Sequence, residues 1–428
     1  MQRKKINLVT LGCPKNIVDS EKLIKQFESN GLEVVDNSDY YDYFIINTCG
    51  FIKSAKEESI DAIINATRLK EEGRINKLIV MGCLSERYAN ELEKEIPEVD
   101  IFIGANKLQD VMRALDLDWR NDLTVERSLL TPSHYAYLKI SEGCDRPCSF
   151  CAIPAIRGNH RSLPLDILVQ EAKILAGRGV KELIVIAQDT TYYGLDIYGK
   201  RTLGKLLNEL SDIDGLEWIR LMYAYPSGFP PDVIDLFAKN PKICKYLDIP
   251  LQHISDSVLL SMKRGISSKE IRNLIYTLRE KISGIELRTT FIVGYPNESE
   301  KDFYDLMKFV DEVKFERMGV FIYSPEEGTD AYNLGDPIPL LIKEERYAAI
   351  MELQHKISYE YNNKLVGKNV KVIIDNVENE SGVGRTEFDA PEVDNEVLVS
   401  SKRKIIRGYF YNVEIQCADA YDLRGIVK

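Results

Sequence analysis

Short apolar runs alternate with amphipathic stretches along most of the chain, and the pattern changes only near the carboxyl end. In the first third, residues 6–13, 43–49 and 77–83 are apolar runs of strand length, and each closes on a cysteine. Helical periodicity fills the gaps at residues 18–30, opened by Asp19 and Ser20, and at residues 54–72. Strands alternating with helices predict a parallel α/β sheet. The alternation resumes at Tyr135, with strands predicted at residues 135–141, 182–187, 218–224, 246–251, 286–293 and 318–323. Helical patterns lie between them, as at Leu165–Gly177 and Pro231–Lys239. Six strand–helix units are too few to close an eight-unit barrel, so a partial, open (βα)6 barrel is expected. A charged amphipathic helix over residues 340–364 then leads to a segment of period two, at residues 369–377, 383–389, 396–400, 409–416 and 422–427. Five short strands there predict a small OB-like β-barrel. The α/β fold therefore divides into an amino-terminal parallel domain over residues 1–127, a partial barrel with its linking helix over 128–362, and a terminal barrel over 363–428.

Ligand sites in parallel sheets lie outside the carboxyl ends of the strands. Cys13, Cys49 and Cys83 are thus expected to converge on one crevice. Gly12, Gly50 and Gly82 beside them suit close backbone approach to a bulky inorganic group. One buried cysteine after a strand is ordinarily a small core residue; three in equivalent positions point to ligation. Cys144, Cys148 and Cys151 form a second set, at C-x3-C-x2-C spacing after a predicted strand. Three thiolates can ligate a cuboidal [4Fe–4S] cluster while leaving one iron open to a non-protein ligand. A structural zinc site wants four ligands in C-x2-C pairs, and disulfides want an oxidising compartment. Both triads are therefore read as [4Fe–4S] sites. Phe150, between two of the ligands, would offer an aromatic face beside the open iron. Cys244 and Cys417 have no partners at ligand spacing and are read as core residues.

Other strand ends carry polar residues that are weak signals taken singly: Gln188, Asp189 and Thr190, then Gln252 and His253, then Arg288 in a strand leading to Gly294 and Glu298. His253 reads better as a satisfied strand-end histidine than as a catalyst. Arg157, Arg161 and Ser162 make a basic patch that holds an anion or stays solvated.

Composition changes this picture little. With 44% apolar and 29% charged residues the chain is ordinary for a folded enzyme. No apolar run approaches the roughly 20 residues of a membrane span, and the first residues do not read as an export signal. A cytoplasmic protein with reduced thiols is expected, without membrane association. Charge matters more. The net of −11 argues against a non-specific nucleic-acid binder. Residues 363–428 hold ten lysines and arginines against eleven aspartates and glutamates, and residues 1–127 hold 18 against 23. A barrel that grips a phosphate backbone should be clearly basic.

The Cys144–Cys151 loop resembles that of the radical S-adenosylmethionine (SAM) superfamily. There the open iron chelates SAM, the aromatic before the last cysteine lies against the adenine, and a glycine-and-glutamate stretch like Gly294-Tyr-Pro-Asn-Glu298 lies near the adenosine. Two triads, a partial barrel and a terminal barrel together resemble the radical-SAM methylthiotransferases over essentially the full length. In that family the last segment is the TRAM domain. Leu11-Gly-Cys-Pro-Lys-Asn16 and the Cys144–Pro154 stretch are similar to the subfamily that modifies an aspartate in the twelfth small-subunit ribosomal protein. The tRNA-modifying subfamily typically has Gln-Met-Asn after the first cysteine, where this chain has Pro14-Lys15-Asn16.

The resemblance implies two [4Fe–4S] clusters, SAM, and SAM contacts at Phe150, Gln188, Arg288, Gly294 and Glu298. It implies that a deoxyadenosyl radical takes hydrogen from the aspartate β-carbon and that a methylated sulfur species at the first triad completes the product. The ribosomal protein is the implied partner, and direct tRNA binding is not expected; the electron donor is not legible. The alternatives are tRNA adenosine methylthiolation by the same chemistry and a non-catalytic iron–sulfur protein. The terminal barrel is expected to be separable, its deletion weakening substrate binding while sparing SAM cleavage.

Overall fold

The computed structural model describes residues 3–379 and 381–428. They form two compact units. One holds residues 3–130, Tyr137–Asp145 and Cys151–Ile174; the other holds Thr131–Ala136, Arg146–Phe150 and Leu175–Lys428.

The first unit is built on a parallel sheet of β1 (Lys5–Thr10), β2 (Glu33–Val34), β3 (Tyr41–Thr48), β4 (Ile75–Gly82) and β5 (Ile101–Ile103), in the order β2-β1-β3-β4-β5. Along β3 alternate residues face opposite layers, as a period of two requires. Ile45 packs with Ile6, Phe27 and Ile79, whereas Phe44 and Ile46 pack with Ile63, Leu78 and Val80. Helices α1 (Pro14–Ser29), α2 (Lys53–Glu71), α3 (Cys83–Glu95) and α4 (Leu108–Ala114) supply the covering layers. The first helix starts at Pro14, earlier than periodicity suggests. Proline fits the first helical turn because its missing N–H would have no partner there.

The chain then passes β6 (Tyr135–Lys139) and an antiparallel ribbon of β7 (Ser141–Glu142) and β8 (Arg161–Ser162), with α5 (Ile153–Arg157) between the ribbon strands.

In the second unit β9 (Glu182–Ile186), β10 (Trp218–Leu221), β11 (Ile243–Asp248), β12 (Glu286–Val293) and β13 (Arg317–Ile322) pair in parallel and in sequence order. The six-stranded sheet runs β13-β12-β11-β10-β9-β6 and is open. Helix Leu340–Asn363 leads to a closed barrel of β14 (Asn369–Glu378), β15 (Ser381–Thr386), β16 (Val397–Ser400), β17 (Phe410–Ala418) and β18 (Leu423–Val427). Val372, Ile374, Val397, Val399, Val413, Ile415 and Leu423 fill it. The expectation that Cys417 is a core residue fails. A bulge between Ile415 and Cys417 breaks the alternation and turns that thiol outward. Cys244 is buried as expected, and burial pushes its thiol up to about 12.

The barrel is also not a detachable module. The connection after β15 sends acidic and carbonyl groups to arginines near the amino ends of the sheet strands. Arg317 donates to Asp389 Oδ1 at 2.7 and 3.0 Å, and Arg288 to Asp394 Oδ1 at 3.2 Å. Arg220 donates to Glu387 O at 2.7 Å, while Arg385 returns a bond to Glu182 Oε2 at 2.8 Å. Arg220, Arg317, Arg385 and Asp389 are all buried. Among the described residues, no helix is long and apolar enough to cross a membrane.

Candidate active site

The first triad grows out of strand ends in the first unit. Cys13 takes the N-cap of α1, Cys83 opens α3, and Cys49 directly follows β3. The flanking glycines work differently from the sequence expectation: their room is taken by neighbouring cysteine loops. A Cβ on Gly12 (φ +87°) would lie 2.6 Å from Cys49 Cβ. One on Gly82 (φ +103°) would lie 2.6 Å from Thr48 O, and one on Gly50 would lie 2.8 Å from the Leu84 backbone. The three loops are therefore packed on each other. Asn16 stitches two of them, donating to Leu11 O at 2.8 Å and Thr48 O at 3.1 Å.

Cys49 and Cys83 are buried and Cys13 half-buried. Burial pushes the Cys83 thiol up to about 11 and Cys49 in the same direction, while Arg157 pulls against both. Thiols held this way release their protons when a metal centre takes them as thiolate ligands. Cys83 also opens a helix, where the dipole favours thiolate. A donor set of sulfur alone suits iron–sulfur ligation. Among the described residues, no three His, Cys, Asp or Glu side chains are grouped for a single metal ion.

The second triad lies on one loop. In the first unit, Cys144 N–H donates to Gly158 O at 3.1 Å. A Cβ on Gly143 (φ +68°) would fall 2.1 Å from Asn159 O, so only glycine fits there. In the second unit, Ser149 N–H donates to Met262 O at 3.0 Å, and its Oγ donates to Ser261 O at 2.8 Å. Phe150 packs against the cluster of Met262, Ile292, Tyr295 and Tyr323. Cys148 Sγ accepts from Arg264 Nη1 at 3.3 Å and faces Tyr225 OH at 3.7 Å. The Tyr225 ring has Arg264 over it at 4.3 Å and Arg146 at 3.9 Å. Arg146 in turn donates to Asp189 Oδ2 at 2.7 Å. One cation, Arg264, thus stands by a cysteine that must be a thiolate to ligate. Arg264 and Tyr225 were not singled out in the sequence, where nothing but distant chain segments connects them to Cys148.

The remaining candidates separate. Gln188 follows β9, and its buried Oε1 has no hydrogen-bond partner, as is also true of Gln252 Oε1. Gly294 (φ +75°) and Glu298 share a turn after β12, where Glu298 accepts from Gly294 N–H at 2.9 Å and from Arg346 Nη1 at 2.6 Å. Arg288 is placed otherwise than expected. It lies in the amino-terminal half of β12, with Asp248 at 3.0 Å and Asp394 at 3.2 Å holding its guanidinium. His253 is fully buried and only half satisfied: its Nδ1 accepts from Ser255 N–H at 2.9 Å, whereas its Nε2 lies 3.5 Å from Glu298 Oε2 with no hydrogen-bond partner. The expected basic patch does not exist, because Arg157 and Ser162 are buried and only Arg161 is exposed.

Three family models match the chain. They are described as Uncharacterized protein family UPF0004 over residues 5–104, Radical SAM superfamily over 138–310, and TRAM domain over 366–427. Relatives include the ribosomal protein uS12 methylthiotransferase RimO of Cytophaga hutchinsonii, 54% identical over 100% of this chain and 99% of the relative. The protein of the same name from Chloroherpeton thalassium is 50% identical, over 99% of this chain and 98% of the relative. Among solved structures, the radical SAM methyltransferase TsrM of Kitasatospora setae, with cobalamin and a [4Fe–4S] cluster bound, aligns with a TM-score of 0.55. That match covers 75% of each chain at 15% identity and concerns the fold alone.

Proposed function

Because this chain belongs to the family of ribosomal protein uS12 methylthiotransferases, we propose that it places a methylthio group on the β-carbon of an aspartate of uS12, in the cytoplasm. It is a radical-SAM enzyme that uses SAM and [4Fe–4S] clusters. The single observation that carries the substrate assignment is full-length identity of about one half to these enzymes, with the sequence Cys13-Pro14-Lys15-Asn16 at the first triad. The charge balance supports it, since neither the first domain nor the terminal barrel carries a net positive field for tRNA.

Cys144, Cys148 and Cys151 are the residues we assign to one cluster, and Cys13, Cys49 and Cys83 to the other. When bound, these clusters supply the electron that cleaves SAM and the sulfur that enters the product. The chain's own residues do the rest. Arg264 and Tyr225 hold Cys148 in place. Gln188 offers its unpartnered Oε1 as an acceptor for a SAM donor group. Gly294 and Glu298 shape the turn after β12, and Phe150 fixes the loop between the last two cysteines by packing into the core. Arg288 is withdrawn from the SAM contacts, because its charge is already matched by two aspartates.

Two consequences can be measured. After anaerobic reconstitution the chain should carry about eight irons, two cubanes of four. Replacing Cys13, Cys49 and Cys83 together with Ala should halve that content; an unchanged iron load would exclude the first triad as ligands. In cells lacking this gene, intact-mass spectra of the small-subunit proteins should show uS12 lighter by one methylthio group in place of hydrogen. A uS12 mass unaltered by the deletion would remove the substrate assignment.

A further inference from the structure

We infer that Arg157 is a positioning residue of the Cys13–Cys49–Cys83 site, which fixes the loops of that site and sets a permanent positive charge beside whatever group they hold. The inference rests on the assignment of that triad to a cluster. Its grounds are geometric. Arg157 ends α5, the short helix that begins two residues after Cys151, and it is 3% exposed. Its guanidinium donates to Asn16 Oδ1 at 2.5 Å, Asn106 Oδ1 at 3.1 Å, Glu142 Oε2 at 3.0 Å and Asp19 Oδ2 at 3.3 Å. Its charge also acts on the Cys83 thiol, pulling against the effect of burial. Ala152 and Ile156 on the same segment pack with Cys83 and Ala105. The loop of one cysteine triad thus supplies the side chain that underpins the other.

Arginine suits this place because a planar fork with five N–H donors can serve several acceptors at once, which a lysine ammonium cannot. Through Asn16, Arg157 braces the carbonyls of Leu11 and Thr48, just before Cys13 and Cys49. Ala152 and Ile156 of its own segment pack against Cys83. Its charge is left partly available to the site. Lys139 also pairs with both Asp19 and Glu142, so two cations share two carboxylates there. A cluster ligated by three thiolates would add negative charge to this otherwise balanced group, and a fixed cation beside those thiolates would favour the more negative, reduced form.

The test uses the full chain with Cys144, Cys148 and Cys151 replaced by Ala, so that only the first site can hold iron. Iron content, an EPR redox titration and the rate of iron loss to a chelator are read for this parent and for R157Q and R157K. The inference expects R157Q to lower the reduced-to-oxidised ratio at a fixed potential about tenfold, roughly 59 mV for one electron. R157K keeps the charge but loses the fork. It should stay within about twofold of the parent in that ratio while losing iron several-fold faster. An R157Q ratio within twofold of the parent, or an R157K shift as large as that of R157Q, overturns the inference. Should R157Q fail to load iron, R157K decides, and chelation no faster than the parent's overturns it. A parent that binds no iron instead contradicts the cluster assignment itself, so the two failures are distinguishable.

Discussion

Replacing Asp389 with Ala should cost the protein about 3–5 kcal/mol, the usual penalty for leaving one member of a buried ion pair without its partner. Asp389 is 1% exposed and accepts two bonds from Arg317 and one from Thr386 Oγ, at 2.6 Å. Burial pushes the neighbouring Glu286 carboxyl well above its usual range, against the pull of Arg317. Removing both charges tells the pair's role apart from simple loss of packing. The double variant D389L/R317M, which leaves no orphaned cation, should recover most of the loss. Urea unfolding of the three proteins measures this. A D389A chain as stable as the parent would mean that the barrel does not anchor the strand ends. The same pairs argue that a chain cut at residue 363 will not fold as a soluble SAM-cleaving enzyme. Such a cut would take Asp389 from Arg317, Asp394 from Arg288 and the Glu387 carbonyl from Arg220, and would uncover the buried Trp218, which meets Phe410 edge-on at 4.8 Å.

The second large effect separates the two triads. Cys148→Ala should abolish reductive cleavage of SAM, because that thiolate is one of three ligands on its loop and is the one that Arg264 and Tyr225 hold. Cys49→Ala should leave measurable SAM cleavage and yield no methylthio product, because that cysteine belongs to the other triad. Deoxyadenosine and methylthiolated protein, quantified in the same reaction, read out both steps. Methylthio product from either variant at the parent's rate would end this division of labour.

Legibility in the sequence followed the range of the interaction. β12 was readable to the residue, since Glu286–Val293 is rich in β-branched and aromatic residues and closes on the apolar run Phe291–Val293. The two cysteine triads stand out in the sequence by spacing and by their place after strands, and the structure puts Cys13, Cys49 and Cys83 at the strand ends where the pattern placed them. Arg157 was visible as a residue but not as a buried one. What buries it is Asn16, Asp19 and Asn106, which only the fold brings to it. Arg264 and Tyr225 carry no local mark at all. Cys417 misled because one bulge inverts the facing of every residue beyond it, and bulges leave little trace in an alternating pattern. The barrel's acidic connection looked like a solvated loop because its arginine partners lie scattered from Arg220 to Arg317.

The central claim is a radical methylthiolation aimed at a ribosomal protein rather than at RNA. Its most direct test offers the reconstituted enzyme, SAM, a reductant and a sulfide source to purified uS12 and, separately, to tRNA, and reads both products by mass. The account predicts a methylthio gain on an aspartate of uS12 that is lost with Cys148→Ala, and no gain on tRNA. A gain on tRNA adenosine with none on uS12 would contradict it.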